Sequence, residues 1–396
     1  MAEAGPTASS SGAGPARIVL VAGETSGDNL GAGLIDALRA RRPALVFEGI
    51  AGPRMRAAGC RAWEAAEGLA VMGLFEVLRH LPRFLRLRRS IERQALAAGP
   101  AAFVGIDFAE FNLSLAARLK RRGLTTVQYV SPQVWAWRQG RVRHMARTLD
   151  LVLCLLPFEK RFYDAAGLHA VFVGHPLADR LPLVPDRAAA RQELGLPAEG
   201  PVVAILPGSR QGEVERLAPD FIAAAAWLKR RRPELRFVAP MANPAARALF
   251  GAALAAAGAP EILVTDGRAD RALTAASVAL VASGTATLET LLCKRPMVVA
   301  YRVSWATAAL FRTLGLMKAP YFAQPNLLAG RELVPELVQG AVTPERLGRE
   351  LEAFLDDPAR VAALEAEFTA IHMTLRQGAS ERAAEAILAL IGRGGP

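Results

Sequence analysis

Cysteine is scarce in this chain of 396 residues: Cys60, Cys154 and Cys293 are the only three. They are widely spaced and form no Cys-x-x-Cys pair, so neither a disulfide framework nor a zinc cluster is suggested, and a reducing compartment is expected. No apolar run approaches the ~18 residues of a membrane span. There is no G-x-x-x-x-G-K-[ST], which argues against a P-loop ATPase. There is also no Asp-x-Asp of the kind that holds Mg²⁺ at a sugar nucleotide, so no metal and no cofactor are expected. The start of the chain lacks the basic residues and apolar core of a signal peptide. It is small, polar and Gly/Pro-rich, which predicts a disordered tail over residues 1–16 and a cytoplasmic location. No repeat of solenoid length occurs.

What is present is 52% hydrophobic, with 6% aromatic residues, and is too long for one compact core, so two domains are predicted. The net charge of +11 calls for an anionic partner, either nucleic acid, anionic lipid or a phosphorylated substrate. The alternative is a basic surface that only confers solubility.

Short β-branched runs alternate with helical stretches, the mark of α/β architecture with parallel sheets. Predicted strands are Arg17–Ala22, Leu45–Ile50, Ala102–Ile106, Thr125–Val130, Leu151–Leu155 and Ala170–Val173 in the first half. The second half offers Val202–Leu206, Arg236–Ala239, Ile262–Val264, Val278–Val281 and Met297–Ala300. A Pro/Gly-rich stretch after Gly174–Asp179 precedes a fresh strand at Val202. The predicted division is therefore 17–185, 186–360 and a helical 361–396, with two sheet domains facing one another across a hinge. The helical end reads as Glu350–Leu355, Val361–Leu375 and Ser380–Ile391.

Six segments could carry chemistry. AGETSGDNLGAGL (Ala22–Leu34) follows the first strand, and its carboxylates disfavour phosphate; Glu24, Ser26 and Asp28 suit the hydroxyls of a sugar. A helix cap with a tight turn is the alternative. VGIDFAEFN (Val104–Asn112) sets Asp107 at a strand's carboxyl end, where it could deprotonate a hydroxyl or merely cap a helix, with Asn112 beside it. YVSPQVWAWRQGRVRHM (Tyr129–Met145) joins tryptophans to arginines; Trp135 and Arg138 are candidates for sugar and phosphate, unless the tryptophans are core. LPGSRQGEVERL (Leu206–Leu217) is the clearest anion site, with Ser209, Arg210 and Glu213 around a helix start. VASGTATLETLLCKRP (Val281–Pro296) repeats that design with Ser283, Gly284 and Thr285, and Glu289 could accept from ribose hydroxyls or be a surface carboxylate. Two such loops in one domain suggest a nucleotide diphosphate donor. QPNLLAGRELVPELVQG (Gln324–Gly340) reads as a loop carrying Asn326, Arg331 and Glu332, able to close over a cleft or simply solvated.

Gly68–Ile91 places Val71, Met72, Leu74 and Phe75 beside a dense basic cluster. That pattern suits a surface dipping into anionic lipid, or else an amphipathic helix packed on a core. Nucleic acid is not expected, since no binding module is recognisable.

Taken in order and spacing, AGETSGD, GID..EFN, VSPQVWAWR, GHP, LPGSR.GEVE, ASGTATLE and PNLLAGREL resemble the lipid-A-disaccharide synthases over roughly residues 17–390. The resemblance implies a two-domain GT-B glycosyltransferase fold. It also implies an inverting transfer of 2,3-diacylglucosamine from UDP to 2,3-diacylglucosamine 1-phosphate at the inner face of the inner membrane. The partners would then be the UDP-diacylglucosamine donor, the diacylglucosamine 1-phosphate acceptor and a membrane surface; oligomerisation is left open. Residues 17–185 would form the acceptor and membrane-contacting domain, and 186–360 the UDP-sugar donor domain. Asp107 matches the candidate base, Arg210 the donor-loop arginine, Glu289 the position that holds ribose, and Asn326, Arg331 and Glu332 the closing loop. The sequence departs from the family's usual Gly-Ile-Asp-Ala-Pro-Asp-Phe-Asn at Phe108-Ala109-Glu110, which implies a different turn and leaves the second acid without an assigned role. The rivals are another GT-B glycosyltransferase, a UDP-sugar epimerase of the same fold, and a non-enzymatic lipid- or nucleotide-binding protein.

Overall fold

The structure, a computed structural model, describes residues 16–66, 81–132, 140–258, 260–303 and 321–393. Nearly all of the expected tail, the membrane candidates Val71, Met72, Leu74 and Phe75, and the candidates Trp135 and Arg138 lie outside these residues. Among the described residues, no helix is long and apolar enough to cross a membrane.

The chain divides into two compact units. One runs to Val173 and resumes at Gly378; the other is Gly174–Gln377. Each is built on a sheet in which every pairing is parallel.

The first unit holds seven strands: β1 (Arg17–Ala22), β2 (Val46–Ala51), β3 (Arg61–Ala65), β4 (Ala102–Ile106), β5 (Thr126–Tyr129), β6 (Leu151–Cys154) and β7 (Ala170–Phe172). Their order across the sheet is β3-β2-β1-β4-β5-β6-β7. The continuous apolar run of β1 is explained by burial on both faces. Ile18, Leu20 and Ala22 join one core, with Leu34 and Leu38 of the helix Thr25–Arg41 and Ala383 and Ile387 of the last helix, Ala379–Arg393. Val19 and Val21 point the other way, into a core shared with Ile91 of the helix Leu81–Ala98 and Leu115 of the helix Ala109–Lys120. The last helix thus completes the core of the first unit although it is encoded after the second.

The second unit holds β8 (Val202–Leu206), β9 (Arg236–Met241), β10 (Ile262–Asp266), β11 (Val278–Ala282), β12 (Met297–Tyr301) and β13 (Glu336–Val338), ordered β10-β9-β8-β11-β12-β13. Both sheets therefore reverse direction beside their first strand, between β1 and β4 and between β8 and β11. Open parallel sheets bind ligands at this switch point, outside the carboxyl ends of the strands. Four of the six segments singled out above follow β1, β4, β8 and β11.

The predicted strands are found within a residue or two of their expected ends. Two others, β3 and β13, were not expected. Each is a sheet edge, short and only partly covered, so it carries little of the apolar signal that marks a central strand. Two terminal helices begin earlier than expected, at Pro344 and Pro358, because Thr343 and Asp357 cap them through their side chains.

Where the chain enters and leaves the second unit, its ends are tied together. The His175 N–H donates to the Leu375 carbonyl at 2.9 Å, and the His175 Nδ1 accepts from the Leu177 N–H at 3.2 Å, capping the helix Pro176–Arg180. Burial pushes the imidazole down to about 4 from its ordinary 6.5. The unfolded chain thus binds this proton between pH 4 and 6.5 while the folded one does not, so stability is lost as pH falls through that window. The loss is at most about 3 kcal/mol. In thermal melts, a His175→Asn variant, which keeps a capping oxygen, is expected to lose less stability than the natural protein between pH 6.5 and 4.5. An equal loss would remove His175 from this account.

Candidate functional site

In the first unit, β1 and β4 are neighbours, and the loops that follow them meet. The Ser26 hydroxyl donates to Asp107 Oδ2 at 2.9 Å, joining two motifs that lie far apart in sequence. Asp107 and Phe108 both take left-handed backbone conformations, with φ of +52° and +40°. Such conformations are costly for residues with a Cβ and persist only when their surroundings enforce them. Here the enforcement is explicit. The Asp107 carbonyl accepts from Asn112 Nδ2 at 2.9 Å and from Gln128 Nε2 at 3.0 Å. Its N–H donates to the Tyr129 carbonyl at 2.9 Å. Asn112 also donates to the Val21 carbonyl at 3.2 Å, so one buried amide pins the ends of β1 and β4 together.

Gly105, one turn of pleat below, makes room for both amides. A Cβ there would fall 2.7 Å from Asn112 Cβ and 3.0 Å from Gln128 Oε1. Gly105→Ala is therefore expected to destabilise the protein by about 1–3 kcal/mol and to lower activity beyond what stability explains, read by urea denaturation and by turnover of the folded fraction.

Phe108 stacks on Phe111 with ring centroids 5.4 Å apart, and Phe84 lies 6.3 Å from Phe108. At the departure from the motif, this chain packs an aromatic ring and turns through the left-handed region. Glu110 forms a two-pronged pair with Arg141, at 2.6 and 2.7 Å. Glu24 is exposed beside this loop.

In the second unit, the loop Pro207–Arg210 links β8 to the helix Gln211–Arg231. Gly208 has φ of +116°, and a Cβ there would meet Glu213 Oε2 at 2.8 Å. Glu213 accepts from the Arg210 N–H at 3.4 Å and lies 3.7 Å from the Arg210 guanidinium, whose side chain is 83% exposed. The Ser209 carbonyl accepts from Asn243 Nδ2 at 2.9 Å, so the loop after β9 braces the loop after β8.

After β11, Ser283 and Gly284 open the helix Thr285–Leu292. Nothing lies within 4 Å of where a Gly284 Cβ would stand, and Gly284 and Thr285 are exposed. This loop is buttressed from below. Ser283 donates to the Phe322 carbonyl at 3.3 Å, and Thr287 donates to the Gly284 carbonyl at 2.7 Å while accepting from the Gln324 N–H at 3.1 Å. Glu289 lies one turn on. Burial, and next the charge of Asp270, raise its carboxyl above the ordinary value, opposed by Arg180.

Three candidates are corrected by these contacts. Asp28 is 3% exposed, and its oxygens accept from the Arg54 and Met55 N–H groups at 2.9 Å each; it caps the helix Pro53–Ala57 rather than facing a ligand. Asn112 spends its amide inside the fold, as described. Asn326 is fully buried: Nδ2 donates to the Val334 carbonyl and to Glu336, and Oδ1 accepts from the Leu333 and Val334 N–H groups. The segment expected to be a loop is instead the helix Gln324–Ala329 followed by β13. Glu336 accepts from the Phe322 and Ala323 N–H groups at 2.9 and 3.0 Å, and so fixes the buttress beneath Ser283. Arg331 pairs with Glu367 at 2.7 Å on the surface, and Glu332 is exposed.

Sequence reasoning missed Gln128, Asn243 and Glu336. Gln128 had a signal, an amide between the apolar Val127 and Tyr129 of a buried strand. Asn243 had one too, since Asn-Pro is a helix-start signature.

The family model described as lipid-A-disaccharide synthetase matches residues 18–390. A lipid-A-disaccharide synthase of Alkalilimnicola ehrlichii is 52% identical over 382 residues, covering 96% of this chain and 100% of that relative. Among solved structures, UDP-GlcNAc 2-epimerase from Neisseria meningitidis bound to UDP-GlcNAc matches with a TM-score of 0.63 at 10% identity, over 94% of this chain and 99% of its own. A calicheamicin glycosyltransferase matches with a TM-score of 0.57 at 18% identity, over 96% and 99%. At such identities these structures speak for the fold alone, which is GT-B.

Proposed function

The chain belongs to the lipid-A-disaccharide synthetase family, and on that premise we propose that it transfers 2,3-diacylglucosamine from UDP to 2,3-diacylglucosamine 1-phosphate. The observation that carries the mechanism is the Ser26–Asp107 pair at the switch point of the first sheet. Ser26 occupies one carboxylate oxygen of Asp107 and so orients the other. That second oxygen takes the proton of the acceptor's 6-hydroxyl as the hydroxyl oxygen bonds to the anomeric carbon. The bond from that carbon to the UDP oxygen breaks as the new one forms, and the configuration inverts.

The departing diphosphate gains one negative charge as its bond to the anomeric carbon breaks. Arg210, the exposed N–H groups at the start of the helix Gln211–Arg231 and the Ser283–Thr285 loop are the donors suited to meet it. Glu289 is the candidate for the ribose hydroxyls, and Ser209 for the diphosphate. Glu24 is left for the acceptor sugar. The acylated substrates place the reaction at a lipid surface, which the Val71–Phe75 segment would contact from the cytoplasmic side of the inner membrane.

The test is incubation with the acylated donor and acceptor, with mass spectrometry for the disaccharide, and plain UDP-N-acetylglucosamine as the parallel donor. Disaccharide from the acylated donor alone is the expected result. UDP release from the plain donor without any lipid product would overturn the substrate assignment while leaving the fold intact.

A further inference from the structure

At the amino ends of the strands of the second sheet, away from the loops just described, a cavity of about 560 Å³ is lined by Arg187, Arg191, Ser277, Arg295 and Glu365 among others. Ser277 immediately precedes β11, Arg295 lies two residues before β12, and Pro201, just before β8, is also on the wall. The donor-side loops leave the other ends of these strands, and a five-residue strand spans roughly 17 Å. The two places are therefore distinct.

The cavity concentrates positive charge inside the fold. Arg191 is 3% exposed and Arg295 8%. Arg191 spends its guanidinium on the carbonyls of Ala275, Pro197, Ala198 and Gly200, which fixes it rigidly. Arg187 donates through Nη2 to Ser277 Oγ, and its buried Nε has no hydrogen-bond partner among the described residues. Arg295 gives Nε and Nη1 to the Cys293 and Ala276 carbonyls. Its Nη2 reaches only Glu365, at 3.6 Å, too far for a hydrogen bond. The helix Pro358–Leu375 also starts here, with Pro358, Val361 and Ala362 on the cavity wall and its first turn capped by Asp357.

Against these stand two carboxylates on the wall, Glu365 and the exposed Glu199. Burial lowers the proton affinity of all three arginines; Arg187 repels Arg191 and Arg295 as well, while Glu365 opposes the shift at Arg187 and Arg295. Positive charge so confined is relieved by an anion with several acceptor oxygens.

We infer that this cavity binds a phosphate-type oxyanion, held by Arg187 and Arg295 at the amino ends of β11 and β12 and separate from the donor loops. The bound anion joins Arg187, on the helix Arg187–Leu194, to the start of the helix Pro358–Leu375 and stabilises the second unit. The inference does not depend on which sugar nucleotide the enzyme uses.

Thermal melts of the full chain in millimolar inorganic phosphate, compared with chloride at equal ionic strength, test it. Phosphate is expected to raise the Tm by about 3–6 °C, Arg187→Gln to abolish the rise, and Arg210→Ala to keep it. Glucose 1-phosphate, run in parallel, separates a free phosphate site from one that takes the phosphate end of a larger molecule; a rise with inorganic phosphate supports the proposal in either case. No rise beyond chloride, a rise that survives Arg187→Gln, or one that vanishes in Arg210→Ala overturns it. Should Arg187→Gln fail to fold, tungstate soaked into crystals of the natural protein decides the matter. An anomalous peak between Arg187 and Arg295 supports the site, and its absence there overturns it.

Discussion

Asp107→Asn is expected to lower turnover by about 10²–10⁴-fold, the usual worth of a general base, while UDP affinity stays within about twofold. The substitution is close to isosteric and keeps an oxygen for the Ser26 hydroxyl, 2.9 Å away in the natural protein. Its backbone consequence is benign, because asparagine tolerates the left-handed conformation that position 107 requires, at φ of +52°. Asn112 and Gln128 grip the carbonyl and not the carboxylate, so the loop keeps its anchors. Folding and activity are thus separable at this residue. Disaccharide formation under saturating acylated donor and calorimetric titration with UDP measure the two quantities. Turnover within threefold of the natural protein would remove Asp107 from the role of base.

Arg210→Ala is the second large effect, a fall in kcat/KM of about 10²–10³-fold, in line with loss of one strong donor to a developing anion. The guanidinium is 83% exposed, and its nearest carboxylate, Glu213, is 3.7 Å away. Such a pair adds little to stability, so the melting curve should hardly move, and the lost activity cannot be ascribed to unfolding. Arg210→Lys should recover only part of the loss, because an ammonium is a point charge that cannot offer the two-pronged contact of the fork. Unchanged UDP affinity together with kcat/KM within threefold for Arg210→Ala would place the diphosphate elsewhere.

How much of this was legible beforehand depends on what a residue does for the fold. The central strands declared themselves because burial on both faces makes the run apolar from end to end, as in RIVLVA and VVAIL. The loops after β1, β4, β8 and β11 were legible because glycine, serine and an acid or arginine at a strand's carboxyl end leave few alternatives. Their convergence on two switch points was not, since strand order is a matter of long-range pairing. The misreadings share one cause. Asp28, Asn112 and Asn326 are polar residues in motif segments, and a sequence cannot say whether a polar side chain faces a ligand or its own backbone. Each of them satisfies main-chain groups that would otherwise be orphaned inside the protein. They serve the site at one remove, by fixing the loops that Asp107, Ser26 and Ser283 occupy. Gln128 and Glu336 do the same work, and only the coordinates of their partners reveal it.

The helix Ala379–Arg393 carries a consequence for biosynthesis. Ala379, Ala383, Ala384 and Ile387 belong to the core that Leu34 and Leu38 also line, yet residues 174 through 377 must be made before they leave the ribosome. At ~5–20 residues per second that interval is about 10–40 s. For that time the nascent first unit shows water an apolar flank on the helix Thr25–Arg41, and only at its end are the described residues of the second unit, Gly174–Gln377, all in place. The order of completion is therefore the reverse of the order of synthesis. A nascent chain stalled between Gln377 and Ala379 holds the described residues of the second unit and a first unit that is still open, and it is the first that a chaperone would be found to guard.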